Sequence, residues 1–482
     1  MDYQSSIGLE VHVHLLTESK LFCGCSTEFG SPPNSQTCPI CLGLPGVLPS
    51  INKKAVEHVI LTALALNCRV SPFSRFSRKN YYYPDLPKNF QISQYDEPLA
   101  RDGYLEFELD GKLRRVAIQR VHLEEDAGKI IHGEDIEGPE DKDSSFIDYN
   151  RTGIPLMEIV SHPEIHSPEE AYQCLVSLKR VLEYLGVSDC NMEEGSLRCD
   201  ANVSLAPEGT RLGVKTELKN MNSFKEIREG LSFEIERQAA LLNKGEKITQ
   251  ETRLWDSEEQ TTVPMRGKEE AHDYRYFPEP DLLPVKISNQ QLEHLKEGLV
   301  ELPFDRYRRF ISQYHLPAYD AGVLTDWRQL ADYFEECVRN FPQPKMVSNW
   351  IMGEFLRLVK KEKTSLEEVK TKPLMLANLL KEVSKGTVSG KLAKEVFQKM
   401  FETGKSGEEI IREEKLGQIS DTDELGEIVQ GVITRNSKAV TDFKKGKDKA
   451  MVFLVGQVMR ETRGRANPEL VNRILKDKMR GM

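Results

Sequence analysis

From Ile7 to about Pro284, short stretches of alternating apolar and polar residues are separated by Gly, Pro, Asn and Asp, a pattern that predicts β-strands joined by turns. Successive side chains of a strand point to opposite faces. In the run Ile7 to His14, one face therefore carries Ile7, Leu9, Val11 and Val13, and the other Glu10, His12 and His14. Leu197 to Val203 repeats the scheme with Asp200 and Asn202 on its polar side, and Val214 to Leu218 adds Lys215 and Glu217. Leu156 to Val160 sets Glu158 among apolar neighbours, and Arg120 to Lys129 ends a strand in three consecutive acids, of which Glu125 is in phase with Val121 and Leu123.

Helical periodicity enters at Pro168 to Leu185. Ser167 fits the N-cap, Pro168 the first turn, Glu170 the capping-box position and Gly186 the stop. Ala171, Cys174, Leu175, Leu178, Val181, Leu182 and Leu185 share one face, which predicts packing on a sheet. From Pro303 to about Leu380 the helical period dominates, and from Gly386 onward Lys/Glu-rich helical text is broken by Gly404, Gly407 and Gly417. The expectation is an α+β protein with a mainly antiparallel-sheet domain over 1–293, a helical domain over 294–404 and a small helical tail over 405–482. No internal repeat stands out.

The longest apolar stretches, Val59 to Leu66 and Ala450 to Met459, fall short of the ~20 residues of a spanning helix, and the N-terminal residues form neither a signal nor a transit segment. We expect no membrane association and a cytoplasmic location. The net charge of −10 is unevenly distributed: from Arg435 to the end there are thirteen Lys/Arg against five Asp/Glu. Such a segment reads either as a grip for a polyanion or as a solvated helix surface.

Acids and histidines recurring on several strands repel one another unless a cation offsets them, so a hard divalent ion such as Mg²⁺ is the economical explanation. Nine cysteines in a reducing compartment are no disulfide framework. Cys23-Gly24-Cys25 and Cys38-Pro39-Ile40-Cys41, twelve residues apart, match a tetrahedral structural zinc site whose four ligands leave no position for chemistry. Cys68, Cys174, Cys190, Cys199 and Cys337 are scattered and read as core residues. The stretch Arg78 to Gln94 interleaves basic residues with Tyr81, Tyr82, Tyr83 and Phe90; it suits phosphate and base contacts, and equally a rigid packed loop. Neither a P-loop nor a nucleophile elbow is present: Gly404-Lys405-Ser406 has Lys399 where the first Walker glycine belongs.

Several long motifs resemble a known family. They are Ile7 to His12, Arg78 to Tyr81 with Tyr83-Pro84-Asp85, Leu123 to Lys129, Met192 to Asn202, Asp273 to Asp281, Phe453 to Gln457, and Ala466-Asn467-Pro468. All are similar to the GatB family of bacterial aspartyl/glutamyl-tRNA amidotransferase subunits, and the resemblance covers essentially the whole chain. It implies a catalytic cradle domain that activates the side-chain carboxylate of tRNA-bound glutamate or aspartate with ATP. Ammonia would come through a channel from an amidase subunit, GatA, while the small GatC subunit would brace the pair. The resemblance places Mg²⁺ at Glu10, His12, Glu125, Glu158, Asp200 and Glu217, whereas zinc rests on cysteine spacing. The nucleotide candidates are Lys79, Tyr81, Tyr83, Lys88 and Arg151. The candidates for tRNA phosphates are Lys444, Lys445, Lys447, Lys449, Arg460, Arg463 and Arg465. The archaeal relative GatE carries a large insertion for which this chain has no room, which favours the three-subunit bacterial enzyme. A non-catalytic tRNA adaptor would have no need of the acid-lined sheet, and a stand-alone phosphohydrolase would leave the basic tail unused.

Overall fold

The computed structural model describes residues 3–133, 142–207, 209–210, 212–265, 274–414, 422–444, 447–462, 466 and 468–480. The chain forms two compact units, Met1–Asp305 and Arg306–Met482, and the architecture is α+β.

The first unit holds the strands β1 (Tyr3–His14), β2 (Arg69–Val70), β3 (Phe73–Ser74), β4 (Ser77–Asn80), β5 (Phe90–Ser93), β6 (Ala100–Leu109), β7 (Lys112–Glu125) and β8 (Lys129–His132). They are followed by β9 (Ser145–Asp148), β10 (Pro155–Ser161), β11 (Leu197–Pro207), β12 (Thr216–Lys219), β13 (Glu251–Asp256), β14 (Thr261–Pro264), β15 (Phe277–Pro278) and β16 (Val285–Lys286). Nine of these strands form one sheet in the order β14-β13-β12-β11-β1-β10-β7-β6-β2, antiparallel except for the β12–β13 pair. The N-terminal strand thus lies at the centre, between β10 and β11, because its apolar positions Ile7, Leu9, Val11 and Val13, at most 2% exposed, need cover along their whole length.

That cover comes from the helices α1 (Lys53–Ala65), α2 (Pro168–Leu185) and α3 (Phe224–Asn243), whose apolar faces share one core with the sheet. Helix α2 starts and stops where its sequence dictates. Ser167 accepts the Glu170 N–H, and Gly186 ends the helix at φ +64°, a conformation that costs glycine little. The capping box is only half formed, since the Glu170 carboxylate accepts the N–H of His166, one residue further back. With three helices on one face, the opposite face of the central strands is left to Glu10, His12, Glu158, Asp200 and Glu217. A further helix, α4 (Asn289–Glu297), carries a complete capping box between Ser288 and Gln291.

The second unit is helical and contains two separate apolar clusters. One gathers Phe310, Leu330, Phe334, Leu380 and Phe397, and the other Leu425, Val429, Leu454, Val458 and Leu475. The helix Pro303–Tyr314 spans the boundary between the units in sequence, and the last described helix is Pro468–Arg480. Among the described residues no helix is long and apolar enough to cross a membrane.

Candidate active site and cysteine cluster

Antiparallel register decides which acids meet. Glu10 pairs across β1 with Asp200, His12 with Glu158 and Arg198, and Glu158 with His122 of β7, while Asn202 pairs with Glu217 of β12. Paired positions share a face, so the polar side of five strands becomes one surface.

At its centre, donor atoms of His12, Glu124 and Glu158 all lie within 4.8 Å of one another. The His12 ring is 3.6 Å from Glu158, and His122 is 3.4 Å from Glu158 and 3.7 Å from Glu124. Burial works against charge on both carboxyls, yet His122 and His12 with Arg120 hold Glu158 low, and His122 with Lys79 holds Glu124 low. For His12, burial is outweighed by the hydrogen bond and charge of Glu158 and the charge of Glu124, which raise it. Towards β12 the acids continue. Glu10 accepts from Asn202 Nδ2 at 3.1 Å, Lys219 pairs with Asp200 and lies 3.1 Å from Glu217, and Glu217 accepts from Thr252 Oγ1 at 2.7 Å. Burial, then Glu158, Glu217 and Asp200, raise the Glu10 carboxyl above its ordinary value despite His12. A divalent cation fits this donor set: hard oxygen and imidazole ligands converge, and the Glu10 carboxylate has no ion pair of its own among the described residues. His122 Nδ1 and Asn202 Oδ1 are buried there without a hydrogen-bond partner among the described residues.

Towards the other end of β1, His14 Nε2 and Asp126 Oδ2 are 2.6 Å apart, and Arg198 reaches the same oxygen at 3.0 Å. Burial opposes charge on Asp126, but Arg198, the His14 hydrogen bond and Arg151 hold its carboxyl well below the usual range. An aromatic wall closes the edge: Tyr95 stacks on Tyr276 at 4.4 Å, Tyr274 meets Tyr276 and Tyr81 edge-on, and Lys79 lies 5.0 Å from the Tyr274 ring.

The structure does not bring Glu125 to this group. Its carboxylate pairs with Lys88 and accepts the Ile92 N–H at 2.9 Å, and the residue is 1% exposed. The neighbouring Glu124 takes its place, because β7 stays regular to its end and Glu124 is the acid in phase with Arg120 and His122. The same period of two that aligned Glu125 with Val121 and Leu123 puts it on the apolar side. Strand alternation thus held the signal for Glu124 and His122, which the sequence reading passed over. The nucleotide candidates are dispersed. Lys79 and Tyr81 sit at the aromatic wall, Tyr83 is 53% exposed, Lys88 is bound to Glu125, and Arg151 donates to the carbonyls of Ala127 and Gly128 at 2.9 and 2.6 Å. Of the tail candidates, Lys449 and Arg460 are exposed and Lys447 pairs with Asp442 at 3.0 Å. Lys445, Arg463, Arg465 and the Lys444 side chain lie outside the described residues.

The sulfurs of Cys23, Cys25, Cys38 and Cys41 also lie within 4.8 Å of one another. The Cys41 thiol is pulled down to about 5 by the Cys23 thiol against burial, helped by the Cys38 N–H and Lys20. Burial and Cys38 push Cys25 up to about 11, and Cys41 pushes Cys23 up. Four thiolates so close together would repel one another unless a cation offset them, and the cluster fits a structural metal. Under the loop, Gly43, at φ +67°, leaves room for the Lys88 stem, which a Cβ would meet at 2.3 Å.

Comparison with known proteins settles the family. Residues 5–293 match the model of the GatB/GatE catalytic domain, and residues 332–479 match that of the GatB domain. The chain belongs to the GatB family. It is 56% identical over 479 residues to the GatB subunit of the aspartyl/glutamyl-tRNA(Asn/Gln) amidotransferase from Carboxydothermus hydrogenoformans, spanning 99% of both chains. Identity to the subunits of the same name from Thermoanaerobacter sp. and Moorella thermoacetica is 54% and 55% over 480 residues, covering 99% of this chain and 100% of theirs. These GatB relatives extend across both units, so the sheet face and the helical unit belong to one family-wide chain.

Proposed function

We propose that this chain is the activating subunit of a glutamine-dependent amidotransferase that converts Glu-tRNA(Gln) and Asp-tRNA(Asn) to Gln-tRNA(Gln) and Asn-tRNA(Asn) in the cytoplasm. The observation that carries the reading is end-to-end identity above half to subunits of that amidotransferase, and the donor set on the sheet agrees with it.

A carboxylate is a poor electrophile. In the proposed sequence a side-chain carboxylate oxygen bonds to the γ-phosphorus of ATP while the bond to the β-phosphate oxygen breaks and ADP leaves. Ammonia then adds to the acyl carbon, inorganic phosphate departs with its electron pair, and a proton is lost to give the amide. His12, Glu124 and Glu158, with Glu10, Asp200 and Glu217 beside them, would hold Mg²⁺, which supplies neutralising charge for the phosphates. Lys79 and the tyrosine wall flank the face and suit a nucleotide. Ammonia would come from GatA, with GatC as the third subunit. In this reading zinc at Cys23, Cys25, Cys38 and Cys41 holds the loop and takes no part in the reaction. Activation belongs to residues 1–293. The tail after Glu402, with Lys449 and Arg460 open to solvent, grips tRNA phosphates away from the reacting end.

The test uses the assembled enzyme with Glu-tRNA, ATP and glutamine. The expected result is one ADP released per amide formed, with ammonium replacing glutamine when the amidase is inactivated. Amide formation without ATP consumption would overturn the reading. Truncation after Glu402 should weaken tRNA binding and flatten its salt dependence, since fewer counterions are released.

A further inference from the structure

Most cations around the polar face are already committed. Lys219 is held by Asp200 and Glu217, Arg120 by Glu158, Lys88 by Glu125, and Arg151 by two backbone carbonyls. Arg198 differs. Of the five N–H groups of its guanidinium, one on Nη2 reaches Asp126, no other hydrogen bond is formed among the described residues, and 36% of the side chain is exposed.

We propose that Arg198 is the clamp for the side-chain carboxylate of the aminoacyl group, an inference that rests on the activation reading above. Its place supports this. Arg198 stands directly across β1 from His12, and its charge is felt by His12 and Glu124, two of the three converging donors. A carboxylate gripped there would lie next to a phosphoryl group held over those donors, and that proximity is the main requirement of the step. Its support is rigid. Asp126, which fixes one end of the guanidinium, is itself fixed by His14 at 2.6 Å and by the Ala127 N–H at 2.9 Å, and its backbone bonds to Ile154 and Gly153. An arginine held at one end is pre-organised at the other. Its free N–H groups present the planar fork that matches a carboxylate with two parallel hydrogen bonds, which a lysine ammonium cannot reproduce. His14 and Asp126 are positioning residues in this arrangement, acting through Arg198.

The experiment compares the assembled wild-type enzyme with Arg198→Lys, Arg198→Ala and Asp126→Asn. It measures KM for Glu-tRNA and for ATP, and filter binding of Glu-tRNA against uncharged tRNA. Both Arg198 variants should raise KM for Glu-tRNA about tenfold or more, the scale of one charge-assisted bidentate contact, while KM for ATP stays within about twofold. Both should also lose the preference for charged over uncharged tRNA. Added guanidinium ion should restore part of the activity of Arg198→Ala and none of that of Arg198→Lys, and Asp126→Asn should shift the same KM by less. If Arg198→Ala fails to fold, Arg198→Lys decides alone. An intact tRNA preference, a rise in KM for ATP instead, or a loss confined to kcat without rescue overturns the clamp. Amidation without ATP in the wild type overturns the activation reading and the clamp together, whereas ATP-dependent wild-type activity beside unaffected Arg198 variants removes the clamp alone.

Discussion

The cysteine loop and the polar face of the sheet both gather metal-binding groups within one domain, and they do so by opposite means. The four sulfurs come from two short knuckles of a single loop, form a closed set of one ligand type, and have the Lys20 ammonium beside Cys41. The donors of the sheet come from strands as far apart in sequence as His12 and Glu158, mix imidazole with carboxylate, and are interleaved with Arg120, Arg198 and Lys219. A closed set of identical ligands fixes a shape. A mixed set in which Glu10 has no ion pair among the described residues and Arg198 is half free leaves polar groups for a ligand to meet.

Four substitutions probe that contrast. The largest effect belongs to Cys38→Ser, because structural zinc contributes on the order of 10 kcal/mol of apparent binding free energy. Metal analysis should fall from about one zinc per chain to none, with protease sensitivity appearing in the cysteine loop. Retained metal would show that the loop is not the site. Next is Glu125→Gln, which leaves Lys88 buried opposite a neutral amide. Breaking a buried pair costs about 3–5 kcal/mol, so thermal or urea denaturation should show a marked loss, and unchanged stability would mean that the pair carries no weight.

Glu124→Gln, which loosens the longer contact to His122 at 3.7 Å, should cost less stability than Glu125→Gln and lower ATP-dependent amidation by about 10²–10³-fold, the usual scale for removing one preorganised charge. Glutamine hydrolysis by the partner should survive. If Glu125→Gln abolishes chemistry while Glu124→Gln does not, the assignment of the two adjacent acids is reversed.

The smallest effect is expected at Glu10. Its carboxyl is raised in the fold by burial and by Glu158, Glu217 and Asp200. A raised acid destabilises the native state once ionised, so this penalty grows as pH climbs from the ordinary carboxylate range through the raised value and is fully present above it. Glu10→Gln keeps an acceptor for Asn202 and removes the charge. In chelator-treated protein at neutral pH it should therefore raise Tm slightly, by roughly 1–2 °C. Added Mg²⁺ should stabilise the wild type more than this variant. A lower Tm, or equal responses to Mg²⁺, would separate Glu10 from the cation site.

Much of this molecule is local and was legible as such. The cysteine spacing, the α2 boundaries at Ser167 and Gly186, the apolar side of β1 and the change to helical text near Pro303 each depend on residues within a turn or a strand of one another. Periodicity also named Glu10, His12, Glu158, Asp200 and Glu217 as one class of residue, since alternation fixes the face of a strand before its neighbours are known. What alternation leaves open is which strands adjoin and in what register. Placing β1 between β10 and β11 sets His12 against both Glu158 and Arg198, and pairing β10 with β7 brings His122 and Glu124 to the cluster while Glu125 turns towards Lys88. Those partners lie far apart in the chain, and a slip of one residue in any of the three pairings would turn every donor over to the apolar core. The sequence alone determined which face of each strand is polar; the tertiary structure decided which of those side chains meet, because contact across a sheet is set by pairing between strands whose encounter no local pattern encodes.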